Sequence, residues 1–196
     1  MVRKRIKARV DAALSMPGTG PTIRRYFVNT IFDSTFVMLG IIVGGALSEH
    51  PDLRVVIATI LTSAVALGIS TGVSVFEAES MEQNRRIDEI EKALLRSLED
   101  THIGRSSRAS IILISFVNFL APLTAGAIIL TPFLLISPGD IVTAAWIAVC
   151  LAISMLFITG LVMGRLGKRN PLIQGTRMAL VGVAAFMICF YIQSLV

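Results

Sequence analysis

The chain has 196 residues, 54% of them hydrophobic, with a formal net charge of +5 and a mean hydropathy of +0.77. A soluble domain carries roughly 45–50% apolar residues; here the excess is gathered in long runs, which excludes an ordinary soluble globule and points to a membrane protein. In a soluble chain the positive charge would suggest nucleic acid, but its distribution along this one marks membrane orientation instead, and no nucleic-acid partner is expected.

The opening MVRKRIKARVDAALSMPGTGP is basic and lacks an apolar run followed by a small-residue cleavage site, so the first span is expected to act as the insertion signal. Residues 1–24 read equally as an amphipathic helix on anionic lipid, with Ile6, Val10, Ala13 and Leu14 on its apolar side, or as a disordered arm, breaking at PGTGP. Five later runs are long enough to cross the hydrocarbon: about 27–48, 54–76, 110–136, 141–164 and 173–195. The fold class is therefore an all-α membrane protein with a five-helix transmembrane domain over 25–196.

The first run contains Asp33, the one acidic residue inside an expected span. A helix beginning near Arg25 would place it on the order of 12 Å into the membrane. An ionised carboxylate there costs roughly 2.5–3.5 kcal/mol and needs water or a partner. Asp33 is thus a candidate metal ligand, with Asn29, Ser34 and Thr35 as neighbours on a polar path; the alternative is a capping or interfacial residue. SEHPDLR then makes a tight turn into the second run.

The second run does not stop at the membrane surface. GVSVFEAESMEQNRRIDEIEK, residues 72–92, has no proline and no glycine after Gly72, so one helix is expected to leave the membrane and continue through the cytoplasmic segment 77–109. On a helical wheel Glu77, Met81, Asn84, Asp88 and Glu91 share one face, while Ile87, Ile90, Leu94 and Leu98 form a packing stripe. Arg85–Glu89 and Asp88–Lys92 have the spacing of i, i+4 ion pairs. Glu77, Glu79, Met81 and Glu82 crowd about one and a half turns at the mouth, with no cation before Arg85. Hard carboxylates with a soft thioether suit a borderline divalent metal such as Fe²⁺ or Mn²⁺. The bland alternative is a solvated charged helix, favoured beyond Asp88.

The third run holds Asn118, which either lines the transport path or bonds between helices, and Pro122 and Pro132, which either kink a structural helix or mark distortion beside a path. SPGD turns into the fourth run, and basic RLGKRNP into the fifth. Gly40/Gly44, Gly68/Gly72 and Gly160/Gly164 repeat at i, i+4 and allow close helix approach, within the chain or across a dimer. Cys150 and Cys189 are expected to be small packing residues. His50 and His102 are placed in loops, and no HExxH, CxxC, GxSxG or phosphate-binding glycine loop is present, so neither an enzyme nor a resident prosthetic group is expected.

Of the 18 Lys and Arg residues, all but Arg54 fall on one side when five helices alternate. The positive-inside rule then puts the N-terminus and 77–109 in the cytoplasm and the C-terminus outside. A multi-pass protein of the cell membrane, in contact with lipid, is the expectation.

These features resemble the vacuolar iron transporter family. In IFDSTFVMLGIIVGG, Asp33 and Gly44 keep the spacing of the family's Asn-Asp-Gly motif and its following glycine, with Phe32 and Ser34 in place of Asn and Gly. In SVFEAESMEQNRR, Ser74 and Glu79 match the Ser-Met…Gly-Glu-Tyr pattern, Val75 stands where the Met would be, and Met81 replaces it from another turn. GAIILTPFL is similar to the family's glycine-to-proline third span, and RNPLIQGTRMALVGVAAFMICFYI, with Gly175, Arg177 and Gly182, to its last helix.

The resemblance covers about residues 24–196 and implies a homodimer that exports Fe²⁺ or Mn²⁺ from the cytoplasm in exchange for protons. Members with a full metal-binding domain carry a longer glutamate-rich insert than the 77–108 segment here, which implies a minimal branch without a multi-metal reservoir. A second reading is a non-transporting membrane module whose helix 77–100 docks a partner through Ile87, Ile90, Leu94 and Leu98.

Overall fold

The computed structural model describes residues 18–95, 101–136 and 140–195. The arm up to residue 17 and Leu98 of the packing stripe lie outside the described residues. The helices are α1 (Thr19–Ile41, continued by a π-helical turn, Ile42–Ala46), α2 (Leu53–Leu94), α3 (His102–Leu135), α4 (Ile141–Leu166) and α5 (Pro171–Leu195). All five are long and apolar enough to cross a membrane, which makes this an all-α, multi-pass integral membrane protein.

Local chemistry explains the helix ends. Asp52 accepts hydrogen bonds from the backbone N–H groups of Arg54 (2.8 Å) and Val55 (3.4 Å), capping α2. Asn170 does the same for α5 through Leu172 N–H, 3.1 Å. Beyond α4 the chain turns at Lys168, φ 53°. There Arg169 N–H reaches the Gly164 carbonyl (2.9 Å) and Lys168 N–H that of Arg165 (3.3 Å), satisfying carbonyls the helix end would leave unpaired.

Two helices start earlier than expected. α1 begins at Thr19 rather than near residue 25, because Pro21 sits in the first turn, where its missing N–H has no helical partner to lose. α3 begins at His102 rather than near residue 110, so His102 is helical and not a loop residue; His50 is in the turn as expected. α2 runs unbroken for 42 residues, as the uninterrupted sequence after Gly72 requires, and ends at Leu95 with φ 52°.

The chain divides into two compact units, each with parts of α1, α2 and α3: residues up to Phe27 with Gly68–Leu120, and Val28–Leu67 with Ala121–Val196. In the first, Gly68 and Gly72 lie against Phe119. A Cβ on Gly68 would come within 2.9 Å of the Phe119 carbonyl oxygen, and one on Gly72 within 3.1 Å of the Phe119 Cβ. The small residues are what let α2 and α3 approach here.

The second unit holds an apolar core of Met38, Leu39, Ile42, Ile60, Ile129, Phe133 and the α4 alanines Ala144, Ala145, Ala148 and Ala152. Within it α4 and α5 meet along glycines. A Cβ on Gly160 would sit 2.8 Å from the Gln174 carbonyl oxygen, and one on Gly164 would sit 2.7 Å from Pro171 Cα. Gly40 differs, since a Cβ there would meet nothing within 4 Å. Of the two cysteines expected to pack as small residues, Cys189 packs partly against the core, whereas Cys150 is exposed on α4.

Candidate functional site

The mouth residues sit on the part of α2 that belongs to the first unit. Their faces follow from helical geometry. Val75, Glu79, Gln83 and Ile87, spaced by four, turn toward the rest of the unit, and exposure rises away from that line. Glu79 is 7% exposed, the one charged side chain in the buried class among the described residues. Glu77, Met81 and Glu82 are exposed, Met81 to 73%. The four candidate ligands therefore divide, one inward and three outward, because positions 77, 79, 81 and 82 span too much of the helical circumference to share a face.

Each carboxylate has distinct company. Glu82 Oε1 accepts a bond from Arg86 Nε at 2.9 Å, so a cation four residues on neutralises it. Arg85 pairs with Glu89 at 3.2 Å, as its spacing predicted. Asp88 and Lys92 form no such pair among the described residues. Glu79 and Arg25 both act electrostatically on the phenol of Tyr26, on α1. The Arg25 guanidinium carbon also lies 5.2 Å from the Tyr26 ring centre. One turn further along α2, Ser107 on α3 donates to Gln83 Oε1 at 3.2 Å.

Deeper in this unit Asn118 is 1% exposed and donates its amide to the Thr71 carbonyl of α2, 3.3 Å. That is an interhelical bond within the membrane. Ser110 and Ser115 are also buried, each bonded to its own helix.

Asp33 belongs to the second unit and is exposed on α1, with no hydrogen bond or ion pair among the described residues. Ser34 and Thr35 do not share its face. Both are buried and bond back to the Thr30 and Ile31 carbonyls at 2.7 Å. Asn29, one turn earlier, is exposed with Asp33. Among the described residues no three His, Cys, Asp or Glu side chains converge as a metal cluster would.

The Tyr26–Glu79 pair escaped sequence reasoning because its members are far apart along the chain. The available signal was the register of Glu79, which falls on the same helical line as Val75 and Gln83 rather than with Glu77 and Met81.

A family model described as the VIT family matches residues 76–194. The match opens beside Glu77 and runs through the mouth, α3, α4 and nearly all of α5. MJ0645 of Methanocaldococcus jannaschii, an uncharacterized protein, is 29% identical over 177 residues, covering 89% of this chain and 90% of its own.

Proposed function

This chain belongs to the VIT family, and on that premise we propose that it carries a divalent cation, Fe²⁺ or Mn²⁺, out of the cytoplasm in exchange for protons. Family membership supports metal transport, and transport rather than catalysis. The observation that carries the reading to particular residues is the position of Asp33: a carboxylate on a membrane-crossing helix, exposed and without a partner among the described residues. Leaving it uncovered in hydrocarbon costs several kcal/mol. A second copy of the chain offers the cover.

Asn29, Asp33, Val37, Gly40 and Gly44 follow one another at spacings of three or four along α1 and its π turn, and each is exposed or half-exposed. Small residues on such a line permit close approach of two helices. In the proposed homodimer, two Asp33 carboxylates line a path between copies, with Glu77, Glu79, Met81 and Glu82 collecting the ion at the cytoplasmic mouth.

The test is Mn²⁺ uptake by proteoliposomes under a pH gradient. The wild-type chain is expected to accumulate Mn²⁺, and Asp33→Asn to fall to the protein-free rate. Uptake by Asp33→Asn at the wild-type rate overturns the role of Asp33.

The exposure of Ile90, 42%, favours the second reading, in which the α2 extension docks a cytoplasmic partner. That reading requires Ile90→Ser to abolish partner capture while loss of the mouth carboxylates leaves every ion flux unchanged.

A further inference from the structure

We propose that the start of α5 binds an anionic phospholipid, with the phosphate held by Arg177 and the basic α4–α5 turn, and an acyl chain lying along the α5 face. Such a site is independent of the transport reading and uses neither Asp33 nor the mouth residues.

The charge at this end is one-sided. From Ile141 onward the sequence has four cations, Arg165, Lys168, Arg169 and Arg177, and no Asp or Glu. All four are exposed, and none makes an ion pair among the described residues. The turn gathers three of them: Lys168 N–H donates to the Arg165 carbonyl at 3.3 Å, and Arg169 N–H to that of Gly164 at 2.9 Å. Asp140 stands at the other end of the 26-residue α4, on the order of 40 Å away, and neutralises none of them. Arg165 suits the negative end of α4, but Arg177 has no such account.

Arg177 lies six residues past Pro171, about 9 Å along the axis. Its neighbours suit hydrocarbon: Ile173, Leu180 and Val181 are 67%, 64% and 46% exposed. With 25 residues, α5 is roughly 37 Å long against about 30 Å of hydrocarbon. A centred helix thus leaves less than a turn clear at each end, and the Arg177 backbone falls inside the apolar layer. The Cα–Cβ bond of a helical residue tilts toward the helix N-terminus, here the basic turn, and a long arginine stem then snorkels to the headgroups.

The adjoining surface supplies the apolar half of the match. Ile173, Thr176, Arg177, Leu180, Val181 and Ala184 line one shallow hollow. The Thr176 hydroxyl is already used, donating to the Leu172 carbonyl at 2.9 Å, which leaves the guanidinium as the polar group open to a ligand. A guanidinium meets a phosphate with two parallel N–H donors, and an acyl chain fits the apolar lining. Soluble phosphate gains nothing from that lining. A zwitterionic lipid carries its own ammonium, so four unopposed cations select an anionic one.

The experiment follows lipid binding to the purified full-length protein in detergent by native mass spectrometry. The probes are phosphatidylglycerol, phosphatidylcholine and inorganic phosphate. The wild type is expected to bind phosphatidylglycerol about fivefold tighter than phosphatidylcholine, and Arg177→Gln to lose about fivefold for phosphatidylglycerol. The double variant Lys168→Gln/Arg169→Gln should lose more. Ala184→Phe, which fills the hollow and leaves every charge, should also weaken phosphatidylglycerol, whereas Arg54→Gln at the start of α2 should bind like the wild type. Every substituted side chain is exposed, so the fold tolerates the changes.

Equal affinity of the wild type for the two lipids, or an unchanged affinity in Arg177→Gln, overturns the proposal. So does an equal loss in Arg54→Gln, which would show general charge attraction. Displacement of phosphatidylglycerol by millimolar inorganic phosphate would make this a phosphate site and not a lipid site. An unchanged affinity in Ala184→Phe overturns the seat for the acyl chain.

Discussion

Single residues in this chain divide into those whose surroundings demand them and those left open, and the glycines show the division most directly. A methyl group on Gly160 must displace the backbone of α5, since the nearest atoms are the Gln174 carbonyl oxygen and Gly175 Cα, both at 2.8 Å. Backbone cannot rotate away as a side chain can, and overpacking of this kind typically costs about 1–3 kcal/mol. Gly160→Ala is therefore expected to lower the thermal unfolding midpoint in detergent by several degrees. Gly40→Ala faces open space within the chain and is expected to leave monomer stability unchanged or slightly raised, by removal of helical glycine. Equal effects of the two substitutions on the unfolding midpoint would show that close approach of α4 and α5 is not what Gly160 provides.

At the scale of the element, α2 combines a membrane span with a charged extension in one helix. Its continuity was legible from residues 72–92, because the helix has no reason to stop where no glycine, proline or capping residue interrupts it. The ion pairs were only half legible. Spacing predicts that Arg85 can reach Glu89, but not whether Glu82 or another acid will take Arg86. Which carboxylate turns inward follows from register, and register is set by Val75 packing inside the unit.

Tyr26 was illegible because an interaction between α1 and α2 leaves no local pattern. These pairs also carry an energetic expectation. Glu82 and Arg86 have side chains 47% and 57% exposed, and solvent-exposed i, i+4 pairs contribute roughly 0.3–0.5 kcal/mol. Glu82→Gln should thus leave the unfolding midpoint within error of wild type. If the same variant slows Mn²⁺ uptake, the loss reflects ion collection and not damage to the helix. A Glu82→Gln protein that unfolds several degrees early would contradict the small value assigned to this pair.

For the whole molecule, the remaining question is what covers the Asp33 line. Two surfaces compete for the role of contact between copies: the α1 line through Asp33, Val37 and Gly44, and the outer face of α5, where Ile173, Leu180 and Ile188 are 67%, 64% and 60% exposed. Lipid satisfies the second, because those side chains carry no polar atom. Lipid does not satisfy the first, because it offers Asp33 neither a hydrogen bond nor a counter-charge. The sequence located Asp33 and the glycine spacing but could not align them on one uncovered face, which needed the inward turn of Ser34 and Thr35.

In a two-fold dimer a residue near the axis meets its own copy, and a disulfide forms only if the two Cα atoms approach within about 7 Å. Val37 lies between Asp33 and Gly44 and is 42% exposed. In a background with Cys150→Ala and Cys189→Ala, Val37→Cys is expected to oxidise to a covalent dimer in native membranes, while Ile188→Cys remains monomeric. The reverse result would place the contact on α5, leave Asp33 facing lipid, and remove the inter-copy path from the proposed transport route.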